Sequence, residues 1–394
     1  MTKINNFLHL KKILIPIIFL AELFLFNFSG LLAGQALADY TNPGQCELGK
    51  SCYGRNQYIE YIKGNLPIII SAPHGGYLYP SEIPDRTKAG CTGSDSFVVG
   101  RDTNSQEYAR GVWEDIKQLT GKYPHIIINH LARKKLDANR YLDMAACDHQ
   151  WAEQAWYEYH EFIDYAKSMV HQQCVQGQYF DFHTSGHEMK WIELGYLLGS
   201  SDLSHSDEQL NSATYIDKSS IKNLIYRNDL YFPEVIRGET SLSGYLQNQG
   251  YSSLPSPLNP DPEGNPYFTG GYNTAHFGSR GGGTINGLQI ETQYSFISSS
   301  EKVNLYARAL AESIIGFVNT QYQFDLAGNI CSTATPTLIP PTATPTIIPC
   351  PGNNNKIDQD DFRTTTVNYQ NNLINGFDLG YLYLNWGKTC LAQH

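Results

Sequence analysis

Short unbroken apolar runs mark the strands of this chain, and runs with a helical period separate them. The segment Leu66-Pro-Ile-Ile-Ile-Ser-Ala-Pro-His-Gly-Gly76 reads as a strand buried on both faces that stops at Pro73-His74. Similar signals fall at 67–72, 125–129, 178–182, 191–198 and 287–292. Between them lie helical patterns. In 104–119 the apolar positions Tyr108, Val112, Ile116 and Leu119 share one face. A longer amphipathic stretch covers 151–170. A third helix, 301–318, follows Ser298-x-x-Glu301, a capping-box spacing. Strands alternating with helices predict an α/β domain: a three-layer α/β/α arrangement with a mixed, largely parallel sheet. Residues 200–283 are dense in Gly, Pro, Asn and Tyr and read as an irregular insertion of the kind that forms a lid or specificity loop.

The ends of the chain differ in character. Lys3, Lys11 and Lys12 precede an apolar run from Ile13 to Gly34, followed by Ala36-Leu37-Ala38. That is the layout of a cleaved signal peptide over 1–38. The run is long enough for an uncleaved membrane anchor to be the alternative, which Glu22 and Asn27 disfavour. Either way the expected location is extracytoplasmic, secreted or on the cell surface. A catalytic domain is expected over 39–330, and a Pro/Thr-rich linker over 331–349. A small module follows over 350–394.

Setting aside residues 1–38 removes three lysines and one glutamate, so 28 basic and 38 acidic side chains become 25 and 37, a net charge of −12. An acidic chain without a basic block is a poor nucleic-acid binder. All eight cysteines lie in the exported part. An even count there favours disulfides, and the lack of a C-x-x-C pair argues against a cysteine zinc site.

Candidate chemistry gathers where strands end. His74 follows the first strong strand, and His183 ends a second in Tyr179-Phe-Asp-Phe-His183. Open α/β sheets place their ligand crevices at the carboxyl ends of strands. Two imidazoles there can share a metal, with Asp102 as the third ligand; Asp85, His187 and Glu188 are the reserves. Asp102 is also a plausible helix cap, since it stands just before the 104–119 helix. Asp181 flanks His183 and can orient its ring. Glu291 ends Gly287-Leu-Gln-Ile-Glu291 and is placed to serve as a general base. Glu193 has a similar strand setting but reads as an exposed or paired strand residue. Arg133, Asn139 and Arg140 offer donors for a carboxylate or an acyl oxygen. Asn273, His276 and Arg280 are further candidate substrate contacts.

Five motifs in this order resemble the N-formylglutamate amidohydrolase family: Pro73-His74-Gly75-Gly76, Asp102-Thr-Asn-Ser-Gln-Glu107, Asp137-Ala-Asn-Arg140, Asp181-Phe-His183 and Ile290-Glu291. The resemblance spans most of 60–320. It implies a zinc carboxypeptidase-like fold and one Zn²⁺ held by His74, Asp102 and His183. It also implies Glu291 as base and Arg140 with Asn139 as the clamp on a carboxylate or oxyanion. Carboxypeptidases take their first two ligands from His-x-x-Glu, whereas position 77 here is Tyr. The expected reaction is hydrolysis of an amide in an N-acyl amino acid, peptide or γ-glutamyl-type substrate. The alternative is a non-catalytic secreted protein that binds wall polymer or glycan. A serine hydrolase is disfavoured because no G-x-S-x-G elbow occurs in a strand-turn-helix setting.

In 350–394, Asn354-Asn-Lys-Ile-Asp-Gln-Asp-Asp361 and Asn371-Asn-Leu-Ile-Asn-Gly-Phe-Asp378 resemble the duplicated calcium loop-helix of dockerins. That resemblance implies a small helical module with a cohesin-like or surface partner. Counting back from Asp361 or Asp378, the first loop position is Cys350 or Val367, neither a usual calcium ligand. Calcium binding and a Cys350–Cys390 staple both stay open.

Overall fold

The computed structural model describes residues 40–331. The expected signal segment, the linker beyond Cys331 and the dockerin-like module with Cys350 and Cys390 lie outside the described residues.

Eight strands form one mixed sheet: β1 (Ser51–Tyr53), β2 (Ile59–Ile62), β3 (Ile68–Ala72), β4 (His125–Asn129), β5 (Gly177–Ser185), β6 (Ile192–Gly195), β7 (Ser253–Leu254) and β8 (Ile285–Gln293). Their order is β1-β2-β4-β3-β5-β8-β6-β7. The central strands β4, β3, β5 and β8 run parallel, while β2 and β6 pair antiparallel at either side. The parallel centre is the part buried on both faces. Strands β3 and β4 accordingly read as near-continuous isoleucine, whereas β5 and β8 intersperse polar residues.

The helices follow the apolar stripes closely. Helix α1 (Ser105–Thr120) carries β3 to β4. Gly121 ends it in the left-handed region at φ 71°, with its N–H bonded to Lys117. Helix α2 (Gln150–Cys174) carries β4 to β5. Later come α3 (Tyr272–Phe277) and α4 (Ser300–Tyr322). The capping oxygen of α4 is Ser299, which accepts the Lys302 N–H, so the expected Ser298/Glu301 box gives way to a single cap one residue further on.

Successive crossovers cover opposite faces. Tyr108, Val112 and Ile116 of α1 share a core with Tyr306, Leu310 and Phe317 of α4 over Ile70, Phe180 and Phe182. Tyr159, Phe162 and Ile163 of α2 pack on Ile69, Ile127 and Tyr179 from the other side. This is the three-layer α/β/α arrangement the alternation predicts. Because β4 and β5 flank β3 on opposite sides, the strand order reverses there, and the carboxyl ends of β3 and β5 are where such sheets place a ligand site.

The stretch 200–283 departs from expectation. Short helices fill 200–248, and Leu203, Leu210, Leu224, Phe232 and Leu246 are buried in the same core as α1 and α4. Their apolar side chains win over the local turn-forming composition, so most of this segment is part of the helical layer rather than a lid. Disulfides join Cys46–Cys52, Cys91–Cys147 and Cys174–Cys331. Cys331, expected to open the linker, is thus tied to the end of α2. Among the described residues no helix is long and apolar enough to cross a membrane.

Glu158 of α2 gives the fold a pH dependence. Its enclosed carboxylate accepts the Arg55 backbone N–H at 2.9 Å and the Gln154 amide at 3.1 Å. Burial pushes its pKa up to about 7 from 4.5, although the Arg55 contacts oppose the rise. The folded chain therefore holds a proton that the unfolded chain releases between these values. Relative to Glu158→Gln, wild-type stability should be greatest below pH 4.5 and should fall as pH rises through about 7. Thermal midpoints of the two proteins across pH 4 to 8 check this; parallel curves would count against it.

Candidate metal centre

The turn after β3 places the first imidazole. Pro73 carries no N–H and ends the ladder, and Asn129 on β4 donates to its carbonyl at 2.8 Å. The chain then passes very close to its neighbours. A Cβ at Gly76 would lie 2.3 Å from the His130 and Leu131 carbonyl oxygens, so only glycine fits. His74 is left at the carboxyl end of the sheet, buried.

Strand period places the second. Asp181 and His183 are two apart on β5 and face the same side, while Phe180 and Phe182 fill the core on the other. Tyr108 donates to the His183 carbonyl at 2.9 Å and steadies the strand end. Asp102 enters from the loop before α1. Its backbone N–H bonds the His74 carbonyl at 3.2 Å, and its Oδ2 accepts the Thr184 N–H at 3.3 Å. Helix α1 begins at Asn104 without a side-chain cap. The Asp102 carboxylate is turned toward the imidazoles instead.

Three atoms converge. His74 Nδ1 and His183 Nδ1 are 3.1 Å apart, and Asp102 Oδ2 lies 3.0 Å from the His183 nitrogen and 3.5 Å from that of His74. The opposite ring nitrogens are held by other carboxylates: His74 Nε2 by Asp137 at 2.6 Å, His183 Nε2 by Asp181 at 2.9 Å. Each Nε2 therefore carries the proton it donates, and each Nδ1 presents a lone pair once its own proton is lost. Two such lone pairs and a carboxylate oxygen facing one point repel unless a proton or a metal ion sits among them. A tetrahedral ion with ligand bonds of about 2.0–2.2 Å spaces its ligand atoms by about 3.3–3.5 Å, close to the observed triangle. His74, Asp102 and His183 form a buried cluster suited to a metal ion.

The surroundings are strongly charged. Burial alone would raise the Asp102 and Asp137 pKa values. His74 with His183 holds Asp102 low, and His74 with Arg133 holds Asp137 low. Burial opposes a proton on His183, but Asp181 and Asp102 hold it well above the usual imidazole range. The negative charge that retains that proton is also what attracts a cation. Arg133 bridges Asp137 at 2.9 Å and Asp102 at 3.4 Å, fixing both carboxylates.

Glu291 pairs across the strands with His183 on one side and Glu193 on the other. Gln289 donates to its Oε1 at 2.9 Å. Burial pushes its pKa up to about 8, with His183 opposing and the Asp102 and Glu193 charges adding to the rise. A carboxyl group that exchanges a proton near neutrality thus sits beside the cluster.

The other expected residues are distributed unevenly. The Asn139 amide is 3.3 Å from His183 Nε2, and its Oδ1 accepts the Asn273 N–H at 2.8 Å, so Asn139 and Asn273 stand together behind the second imidazole. Arg140 turns away, bonding Ser96 and the Asn139 carbonyl. His276 lies among the Tyr272, His160 and Phe277 rings, and Arg280 is exposed. Of the reserves, Asp85 pairs with Lys134 and Lys135, and Glu188 is exposed. His187 bonds Glu193 at 2.7 Å, so Glu193 is a paired strand residue. The orienting role of Asp137 was not read from the sequence. Its place in the Asp137-Ala-Asn-Arg140 motif was the one available signal.

No family model matches the chain, and no curated protein does. Among solved structures it is similar to the N-formylglutamate amidohydrolase of Ralstonia eutropha JMP134, at 15% identity over 64% of this chain and 94% of that one, with a TM-score of 0.37. It is also similar to a gene product of Agrobacterium tumefaciens, at 10% identity over 66% and 94% of the two chains, with a TM-score of 0.35.

The second carboxylates give this centre a graded test. Calorimetric titration with Zn²⁺ should show one tight site that is lost in His74→Ala and His183→Ala. In Asp137→Asn it should weaken by about 10- to 100-fold, the usual worth of such an orienting partner. Equal affinity in Asp137→Asn and wild type would remove Asp137 from the centre.

Proposed function

We propose that the chain is an exported zinc-dependent hydrolase that cleaves an amide bond of an N-acyl amino acid, peptide or γ-glutamyl-type substrate. The observation that carries this reading is the convergence of both Nδ1 atoms on Asp102, with an aspartate behind each ring. Two histidines and one carboxylate are a donor set common to zinc hydrolases that keep a fourth position open. Zinc there would supply a Lewis acid for the acyl oxygen and lower the pKa of water.

The chain's own residues account for the proton traffic. In this reading Glu291 takes a proton from the attacking water and delivers it to the leaving amine, a role supported by its strand pairing with His183. Its raised pKa suits a group that must first accept and then donate. A divalent charge nearby opposes that rise and makes Glu291 a base at neutral pH. Asp137 and Asp181 engage the Nε2 side of each imidazole and leave the Nδ1 side for a ligand, and Arg133 anchors the Asp102 and Asp137 carboxylates.

Three disulfides among the described residues support an oxidising compartment, as the N-terminal segment does. The five motifs shared with N-formylglutamate amidohydrolases support the amide as the bond attacked. N-formylglutamate itself is an intracellular catabolite, so an exported chain suits an extracellular acyl amino acid or peptide. The C-terminal module is proposed as a dockerin-like tether to a surface partner.

Glu291→Gln should retain zinc and lower kcat by about 10²- to 10⁴-fold on whichever N-acyl substrate the wild type cleaves. Amine release and metal content measured on the same preparation check this. Unchanged turnover would take Glu291 out of the reaction.

A further inference from the structure

The chain that joins His74 to Asp102 makes a long excursion, and a disulfide fastens it. Cys91 lies on that excursion and is bonded to Cys147. The loop 91–147 that this bond closes contains Asp102, Arg133 and Asp137, three of the residues that build the metal centre. Among the described residues it is also the most accessible disulfide. Cys46, Cys52 and Cys174 are buried, so the other two bonds each have an enclosed half, whereas Cys91 and Cys147 are both half-buried. Thiol–disulfide exchange needs access to a sulfur, so a dithiol reaches this bond first.

Cys147 is held against its backbone preference. It and Asp148 are consecutive non-glycine residues at φ 51° and 58°, in the left-handed region that L side chains disfavour. This strained pair follows the short helix Leu142–Ala145 after one residue. That helix supports the centre directly. The Ala145 carbonyl accepts the Asp137 N–H at 3.1 Å, and Asp137 Oδ1 is 2.6 Å from His74 Nε2. The Met144 carbonyl accepts Arg86 at 2.9 Å, and Arg86 also holds the Arg133 carbonyl at 2.6 Å. The Cys91 end lies on the same helix, since a Cβ added at Gly93 would be 2.4 Å from the Met144 side chain.

We propose that the Cys91–Cys147 disulfide is a redox control on the metal centre, tight binding of the ion requiring the closed bond. This rests on the metal-centre reading and is independent of which amide is cleaved. Opening the bond lets residues 147 and 148 leave the left-handed region and loosens the short helix, so Asp137 no longer fixes the His74 ring. The excursion that delivers Asp102 gains freedom at the same time, and metal binding must then order it. Closing the bond takes two protons and two electrons from the thiols and passes them to a partner disulfide, which becomes a dithiol; opening is the reverse exchange. The centre therefore gains its affinity only after the chain has met a disulfide oxidant.

Zinc affinity of the oxidised full chain, measured by competition with a chromophoric chelator, tests this. Cys91→Ser/Cys147→Ser should bind Zn²⁺ about 10- to 100-fold more weakly than wild type, the range expected when an orienting partner is lost. Cys46→Ser/Cys52→Ser should bind as wild type does. Adding Asp137→Asn to the first double variant should weaken binding little further, because both changes act on one ring. Should that double variant not fold, stepwise reduction of wild type with a water-soluble phosphine decides. Alkylation read by mass spectrometry should find Cys91 and Cys147 opened first, with zinc affinity falling in step. A lower thermal midpoint with undiminished zinc affinity makes the bond a structural tie and overturns the proposal, as does reductive opening without loss of affinity. A wild type that binds no zinc overturns the metal centre and the control together. Tight wild-type binding that the double variant retains overturns the control alone.

Discussion

Everything at this centre depends on the two hydrogen bonds that hold the outer nitrogens of His74 and His183. Asp137 and Asp181 hold the proton of each Nε2, so it is the two Nδ1 atoms that face inward and can ligate once unprotonated. With the tautomers reversed, the same two rings would be donors toward each other and toward Asp102, and no cation would fit. The sheet does the rest: β3 and β5 are parallel neighbours, so strand ends more than a hundred residues apart along the chain meet at one edge. The reversal of strand order at β3 leaves that edge without a crossover helix directly over it.

Charge is arranged in shells around this point. Asp102 belongs to the inner triangle, Asp137 and Asp181 lie behind the rings, and Arg133 spans two of the three carboxylates. Burial works against the Asp102 and Asp137 charges, and pairing with the imidazoles and Arg133 keeps both carboxylates ionised. Glu291 is the exception. Its nearest strand neighbours are His183 and Glu193, and no arginine bonds it, so burial and like charge leave its proton labile. A fixed acidic set beside one labile carboxyl is the division of labour that metal-assisted hydrolysis needs.

The parts of this design that are local were legible in the sequence. The run 67–72 ending in Pro73-His74 and the run 178–182 ending in His183 betrayed two strand ends with imidazoles, and period two put Asp181 beside His183. Glu291 was legible for the same reason. The outer strands β1 and β2 were not, because Ser51–Tyr53 and Ile59–Ile62 are too short and mixed to separate from loop. The helical layer over 200–248 was hidden because its turn-forming residues outweigh single apolar positions until those positions are packed. Arg133 and Arg140 look alike in the sequence. Only long-range contacts, to Asp102 in one case and Ser96 in the other, tell them apart.

The most direct measurement is anomalous diffraction at the zinc edge on crystals of the protein grown with Zn²⁺. The account predicts one dominant peak bonded to His74 Nδ1, His183 Nδ1 and a carboxylate oxygen of Asp102, with both Nε2 atoms still on their aspartates. A peak at the Nε2 side of either ring, or none within bonding distance of all three residues, would contradict it.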